Sequence, residues 1–398
     1  MSAGRGEGGF FSRLFAGRYG RYVLPAVIFQ SVLIGGGYAT GREIVQFGAR
    51  FGALGVWNIL AIFTGFTLTA ILTYEFARVT RSYNYRSFMR HLIGRLWPLF
   101  DVLWVVLAVL IVAIMSAAAG EIGQQVLGIP YFAGVGFVIV VVAILNFYGK
   151  HLIEGFKSVG TTFLYLMFIV LAASILLLRW DNVQEVFATG DTAALDGSSF
   201  LNSPTIAAAL AAGLLYVGYN LIVLTAVLFS LDRQTTRKET VLSGVITGVL
   251  ATIPFILTYL CILGFYPGEE VLGAPVPWLA MVTQTGGSGL LAAFFAVMVV
   301  YTLIETATGL IHALTDRVSD TLKELGRRPL TGAQSALISG AVLAGAALLS
   351  QVGIIDLVAV GYTAMAYLFL ALFALPLVTV GLYRILVSRG EPQQRVEP

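Results

Sequence analysis

Ten apolar stretches, most of them long enough to cross the hydrocarbon core of a bilayer as helix, follow one another along this chain with only short polar breaks. They run over 22–48, 53–79, 98–127, 131–149, 154–179, 204–230, 238–265, 289–314, 332–350 and 355–385, and are called spans one to ten below. Hydrocarbon gives backbone N–H and C=O groups no partner, so a spanning segment must satisfy its own as helix or close with its neighbours into a barrel. Barrel strands are about ten residues long and alternate apolar with polar. These runs are longer and apolar throughout, which selects helices. Composition agrees, since only 11% of residues are charged against about 25% in soluble domains.

Orientation follows from the basic residues. With the N-terminus in the cytoplasm, every Lys and Arg except Arg42, Arg50 and Arg179 falls at or near the cytoplasmic side, as the positive-inside rule requires. Both termini are then expected there, with tails at 1–21 and 386–398. The acidic segment 181–203, carrying Asp181, Glu185, Asp191 and Asp196, is expected as an extracytoplasmic loop. It separates five spans (22–180) from five (204–385). Five is odd, so two such halves sit in opposite orientations, the plan of an inverted repeat. The first span runs on into Gly-rich, charged sequence without a small-residue cleavage site and reads as a retained helix. The formal charge of +3 is small and its basic residues lie in loops, so the expected partner is the lipid bilayer and not nucleic acid. Oligomeric state is not encoded in any motif.

Span one contains Gly35-Gly36-Gly37-Tyr38-Ala39-Thr40-Gly41-Arg42-Glu43. Each helical glycine costs about 1 kcal/mol relative to alanine, so a triplet at mid-span suits backbone that unwinds. Unwound backbone at membrane depth persists only where it lines a cavity or is buried in protein. Its freed N–H and C=O groups then become ligands for anions and cations. The competing reading is close helix packing on small residues. Span six carries Tyr216-Val217-Gly218-Tyr219-Asn220 at the matching place in the second half, and interrupted segments in corresponding positions point to a binding site. Tyr216 and Tyr219 lie deep in the span, away from the interfacial aromatic belt.

Three carboxylates, Glu43, Glu121 and Glu305, lie in apolar surroundings. An intramembrane carboxylate costs at least about 2.5 kcal/mol at the bilayer centre, which makes each a functional candidate. Glu305 stands deepest, with Thr302 and Thr306 able to complete an oxygen cage for a cation, or with its own proton to exchange. Glu43 is expected beside Arg42, and Glu121, near Gln124 and Gln125, is a gate candidate at the outer end of span three. His91, His151 and His312 all fall near cytoplasmic ends, so no mid-membrane metal motif forms. No phosphate loop is present and the glycines follow no strand. Nothing indicates an enzyme or a bound cofactor; a sodium ion or proton is the coupling species that the carboxylates suggest.

The run from Gly36 to Ile44, with Gln46-Phe47 after it, resembles the first helix of the YkvI-like family of bacterial membrane proteins. Tyr216 to Asn220 and the pair Glu305-Thr306 look similar too, and the likeness extends from about Tyr22 onward. The resemblance implies the amino acid–polyamine–organocation superfamily, the five-plus-five inverted repeat of the bacterial leucine transporter, and the bacterial cytoplasmic membrane. In that fold, spans one and six unwind around the substrate, while spans one and eight hold a coupling sodium. Gly35, Gly36, Gly37, Tyr38 and Gly41 with Tyr216, Gly218, Tyr219 and Asn220 would then bind substrate. Glu305, Thr306, Thr302 and Glu43 would serve the coupling ion. Glu305 departs from the pattern, because that cation site usually offers neutral hydroxyls, and so sodium and proton both stay open.

The function expected from these features is secondary active transport of a small amino-acid-like or other zwitterionic solute by alternating access. The alternatives are a gated ion or solute channel and a membrane sensor that does not transport.

Overall fold

The computed structural model describes residues 17–148, 150–286, 289–324 and 326–387, and the regular elements among them are all helical. Among the described residues, eight helices are long and apolar enough to cross a membrane. Spans one and four appear as shorter apolar helices, Leu24–Leu33 and Tyr131–Phe147. Large apolar side chains such as Phe132, Leu177, Leu337 and Leu348 face outward, a surface that suits lipid and not water.

Helix ends follow local chemistry. Span seven starts at a capping box, in which Thr236 Oγ1 accepts from the Glu239 backbone and the Glu239 carboxylate accepts from the Thr236 N–H. Thr331 and Gln334 do the same for span nine. Two expected boundaries move. The helix of span five runs on to Thr189, because Val183 and Val186 give the start of the expected loop a buried stripe at helical spacing. Span eight continues to Glu324 for a further ten residues beyond its apolar part. The segment between spans seven and eight, expected as an outer loop, is not extended over its described residues 266–286: it holds the helices Glu269–Leu272 and Pro277–Gln284, the second opened by Pro277 at a position that favours proline.

Span one is in pieces. Helix Leu24–Leu33 ends at Ile34, whose ψ of 64° leaves the helical region. A short turn of helix, Gly36–Thr40, follows, and Gly41 at φ 80° then separates it from Arg42–Phe47. Span six is interrupted more gently. Its first helix, Ile206–Asn220, gives way at Leu221 to Ile222–Val227, with Leu221 itself still right-handed.

The two halves interlock. Span one touches six, two packs along seven, three lies on eight, and four on nine, so four of five spans meet their own counterpart. Spans two and seven approach closely because a Cβ on Gly244 or Gly248 would collide with Ile71 or Thr67, small-residue packing of the membrane kind. Asn58 of span two, fully buried, donates from Nδ2 to Phe47 O at 2.8 Å and Ala209 O at 2.7 Å. It thereby fixes the end of broken span one against the first helix of span six.

Candidate functional site

A cavity of about 470 Å³ opens where span one breaks. Its wall takes Gly35 and Glu43 from span one, Tyr219 and Asn220 from span six, and Glu305 and Thr306 from span eight, with Tyr362 of span ten and Ile111 of span three closing it. Six residues singled out in the sequence therefore meet at one place, although up to 271 positions separate them. The cavity continues past Ser31 and Val32, Ile222 and Val223, and Gly309 and Leu310. All of these lie on the side of the break that faces the N-terminal end of span one.

Glu43 is buried, and its carboxylate accepts from the Tyr219 hydroxyl at 2.5 Å. Tyr362 is its second side-chain partner, and the Tyr219 and Tyr362 rings stack with centroids 4.4 Å apart. Hydrogen bonds to a charged group contribute about 1.5–3 kcal/mol each, which offsets the insertion cost of the carboxylate. The expected pairing of Glu43 with Arg42 does not form. Neighbours in a helix point about 100° apart and cannot face each other. Arg42 turns outward instead, donating from Nη1 to Leu272 O at 2.6 Å and Ala274 O at 3.2 Å in the outer segment.

Gly35 faces span eight: a Cβ placed on it would lie 3.2 Å from Thr306 Oγ1. Gly36 and Gly37 open the short middle helix. Tyr38 and Tyr216, both buried, are joined by a hydroxyl–hydroxyl bond of 2.6 Å. Neither lines the cavity. Phe47 and Phe255 pack on the Tyr216 ring. Trp278 of the outer segment presses on Gly41, where a Cβ would come within 2.9 Å.

Other expected site residues fall elsewhere. Gly218 is helical and makes room for span ten, since a Cβ would meet Leu370 and the Ala366 carbonyl. The interruption of span six lies three residues further on, at Leu221. Asn220 lines the cavity and donates to Tyr216 O at 2.9 Å. Thr302 is buried off the cavity and donates to Met298 O. Glu121 accepts from Gln125 at 3.4 Å near the C-terminal end of span three and does not line the cavity.

Tyr362 is the site residue that sequence reasoning passed over. It ends a π-helical turn, Leu357–Tyr362, a distortion often found at functional sites. Its depth within span ten is the same signal that singled out Tyr216 and Tyr219.

No protein-family model matches the chain, and no curated protein sequence matches it. Solved structures do match over nearly the full length. MhsT in complex with L-phenylalanine superposes with a TM-score of 0.59 at 15% identity, covering 94% of this chain and 98% of that one. Mhp1, a nucleobase-cation-symport-1 family transporter with bromovinylhydantoin bound, gives 0.58 at 14%, covering 94% and 80%. The chain has the leucine-transporter fold. A manganese transporter of Eremococcus coleocola also matches, with a TM-score of 0.53 at 15% identity over 96% of this chain and 86% of that one. Ten spans in two inverted halves, with spans one and six interrupted, are thus the architecture as well as the expectation.

Proposed function

We propose that this protein is a secondary transporter that moves a small solute of amino-acid size across the bacterial cytoplasmic membrane by alternating access, coupled to a sodium or proton gradient. The observation that carries the reading is the cavity itself. It lies at the break in span one, it is walled by Tyr219 and Asn220 where span six is interrupted, and it holds two carboxylates at membrane depth. The leucine-transporter fold and the first-span motif support membership of the YkvI-like group.

Both termini lie in the cytoplasm, in keeping with the basic residues, and the chain divides into repeats over 22–180 and 204–385 joined by the outer loop. With that orientation the conformation is inward-facing. The cavity continues toward the cytoplasm, while the Tyr38–Tyr216 bond, Trp278 and Arg42 close the outer side. Gly35 and Thr306 form the junction of spans one and eight where the coupling ion binds, with Glu305 beside it.

Uptake by proteoliposomes, driven separately by sodium and proton gradients against a panel of amino acids and amines, tests the proposal. Gradient-dependent accumulation of at least one solute is expected. Folded, reconstituted protein that accumulates none would defeat it, and single-channel currents would favour a channel.

A further inference from the structure

A second cavity, of about 380 Å³, lies at the C-terminal end of span two, between the turn that follows that span and the turn joining spans six and seven. Its two walls differ in chemistry. The span-two wall offers donors: the Arg81 guanidinium, the Tyr83 hydroxyl and Arg78. Arg78 commits Nε and Nη2 to Glu75, but its Nη1 reaches Thr235 O only at 3.5 Å, too long for a strong bond. Arg81 makes no hydrogen bond or ion pair among the described residues.

The facing wall offers acceptors, the Asp232 carboxylate and the Gln234 amide. Gln234 is 1% exposed and donates from Nε2 to Arg21 O at 2.8 Å. A carbonyl only accepts, so the amide nitrogen faces Arg21 and Oε1 is the free end. That oxygen is buried without a partner among the described residues. Leaving a buried acceptor unsatisfied costs about 1–3 kcal/mol, so the site asks for an N–H or O–H donor as well as an anion.

Two further observations bear on the occupant. Arg81 is the one described residue other than glycine with positive φ, at 50°. Glycine is the unstrained choice at such a helix end, so the strain is kept together with a side chain that faces the cavity. The helix of span two, Gly55–Thr80, has 26 residues. That is about 39 Å of helix against about 30 Å of hydrocarbon, which brings its last turn to the depth of lipid headgroups. Val79 lines the cavity, and Leu72 and Leu68, seven and eleven residues earlier, share its helix face. Leu68 is exposed, so an apolar strip leads from the lipid-facing flank to the cavity.

We propose that this cavity binds a phosphoethanolamine group, its phosphate on Arg81, Arg78 and Tyr83 and its ammonium on Asp232 and Gln234 Oε1. The apolar strip makes a phospholipid the source; with the orientation proposed above, it belongs to the cytoplasmic leaflet. Arginine suits phosphate oxygens. A choline headgroup brings no N–H to Gln234, and a glycerol headgroup brings no positive charge to Asp232. The site is separate from the cavity at the break in span one and does not depend on what that cavity carries.

The test uses the full chain, stripped of lipid in detergent and titrated with dioleoyl phosphatidylethanolamine, phosphatidylglycerol or phosphatidylcholine, with bound lipid counted by native mass spectrometry. Free phosphoethanolamine is titrated in parallel. Phosphatidylethanolamine is expected to bind at least tenfold more tightly than either other lipid. Arg81→Gly relieves the left-handed strain and so keeps the fold; it should abolish the preference without lowering the unfolding temperature. Asp232→Asn should bring phosphatidylethanolamine to within about threefold of phosphatidylglycerol, and serves as the second variant should Arg81→Gly be unstable. Free phosphoethanolamine that binds as tightly as the lipid would uphold the recognition and assign it a soluble source. No preference for phosphatidylethanolamine in the unaltered chain, or an unchanged preference in either folded variant, overturns the inference.

Discussion

Tyr219 of span six and Glu43 of span one are joined by a 2.5 Å hydrogen bond that crosses between the two halves of the molecule. The bond satisfies a buried carboxylate and holds together the two interrupted spans at the cavity wall. Tyr219→Phe removes the donor and leaves the carboxylate with one tyrosine fewer. Loss of about 1–3 kcal/mol of stability is expected, read as a lowered unfolding temperature of the purified protein. An unchanged unfolding temperature would show that water replaces the hydroxyl without cost.

A Cβ on Gly35 would lie 3.2 Å from Thr306 Oγ1, tighter than ordinary van der Waals contact, so the junction of spans one and eight has little room. Gly35→Leu is expected to lower initial uptake at least tenfold while the protein remains monodisperse. Gly35→Ala should act more mildly, and Thr306→Ala in the same chain should relieve it by removing the atoms that the new Cβ meets. A variant that only lowers stability, with uptake per folded molecule unchanged, would assign the glycine to packing.

Gly41 holds φ at 80° beneath Trp278. Gly41→Ala places a Cβ in left-handed backbone, at roughly 1–2 kcal/mol, and drives it into the indole. A clear drop in unfolding temperature is expected. Gly41→Ala combined with Trp278→Ala should recover only the steric part.

Arg42 fastens the outer segment over the broken span by two bonds to carbonyls. Arg42→Lys cannot reproduce the planar fork of donors. Backbone deuterium exchange across 268–284 is expected to quicken at least tenfold in Arg42→Lys, with exchange in spans two and seven unaffected. Equal exchange in both proteins would mean that Trp278 packing alone holds the segment.

Glu305 is the carboxylate deepest in span eight. Glu305→Gln keeps the shape and removes the charge, so gradient-driven accumulation should be lost or reduced to exchange. Uptake measured against pH and sodium concentration decides the point. Profiles identical to those of the unaltered protein would remove Glu305 from coupling.

The parts of this architecture that were legible in the sequence are those carried by strong local costs. Apolar length revealed the spans, the glycine triplet revealed the break at Ile34–Gly35, and the lone carboxylates revealed two members of the cavity wall. Pairings set by tertiary packing were not legible. Arg42 and Glu43 adjoin in sequence yet point to different neighbours. Gly218 looked like a hinge and turned out to make space for Leu370 and Ala366. Tyr362 carried one local signal, its depth within span ten, but the π turn Leu357–Tyr362 that places it beside Glu43 is a distortion that no local residue pattern announces. Segment 181–203 read as a loop from its charge, whereas Val183 and Val186 prolong the helix by a periodicity that the acidic residues mask.

Four of the first five spans touch the span five places later in the chain. Contacts between counterparts related by an in-plane axis can be exchanged: imposing on each half the pose now held by the other carries every such contact onto itself. Under the alternating-access reading proposed above, a second conformation of comparable packing would be reached without inventing new interfaces. In it the crevice beside Ser31 and Val32 would seal, and the layer under Trp278 would part. The single cysteine, Cys261, is buried, so a thiol introduced at either place would report which mouth is open against a silent background.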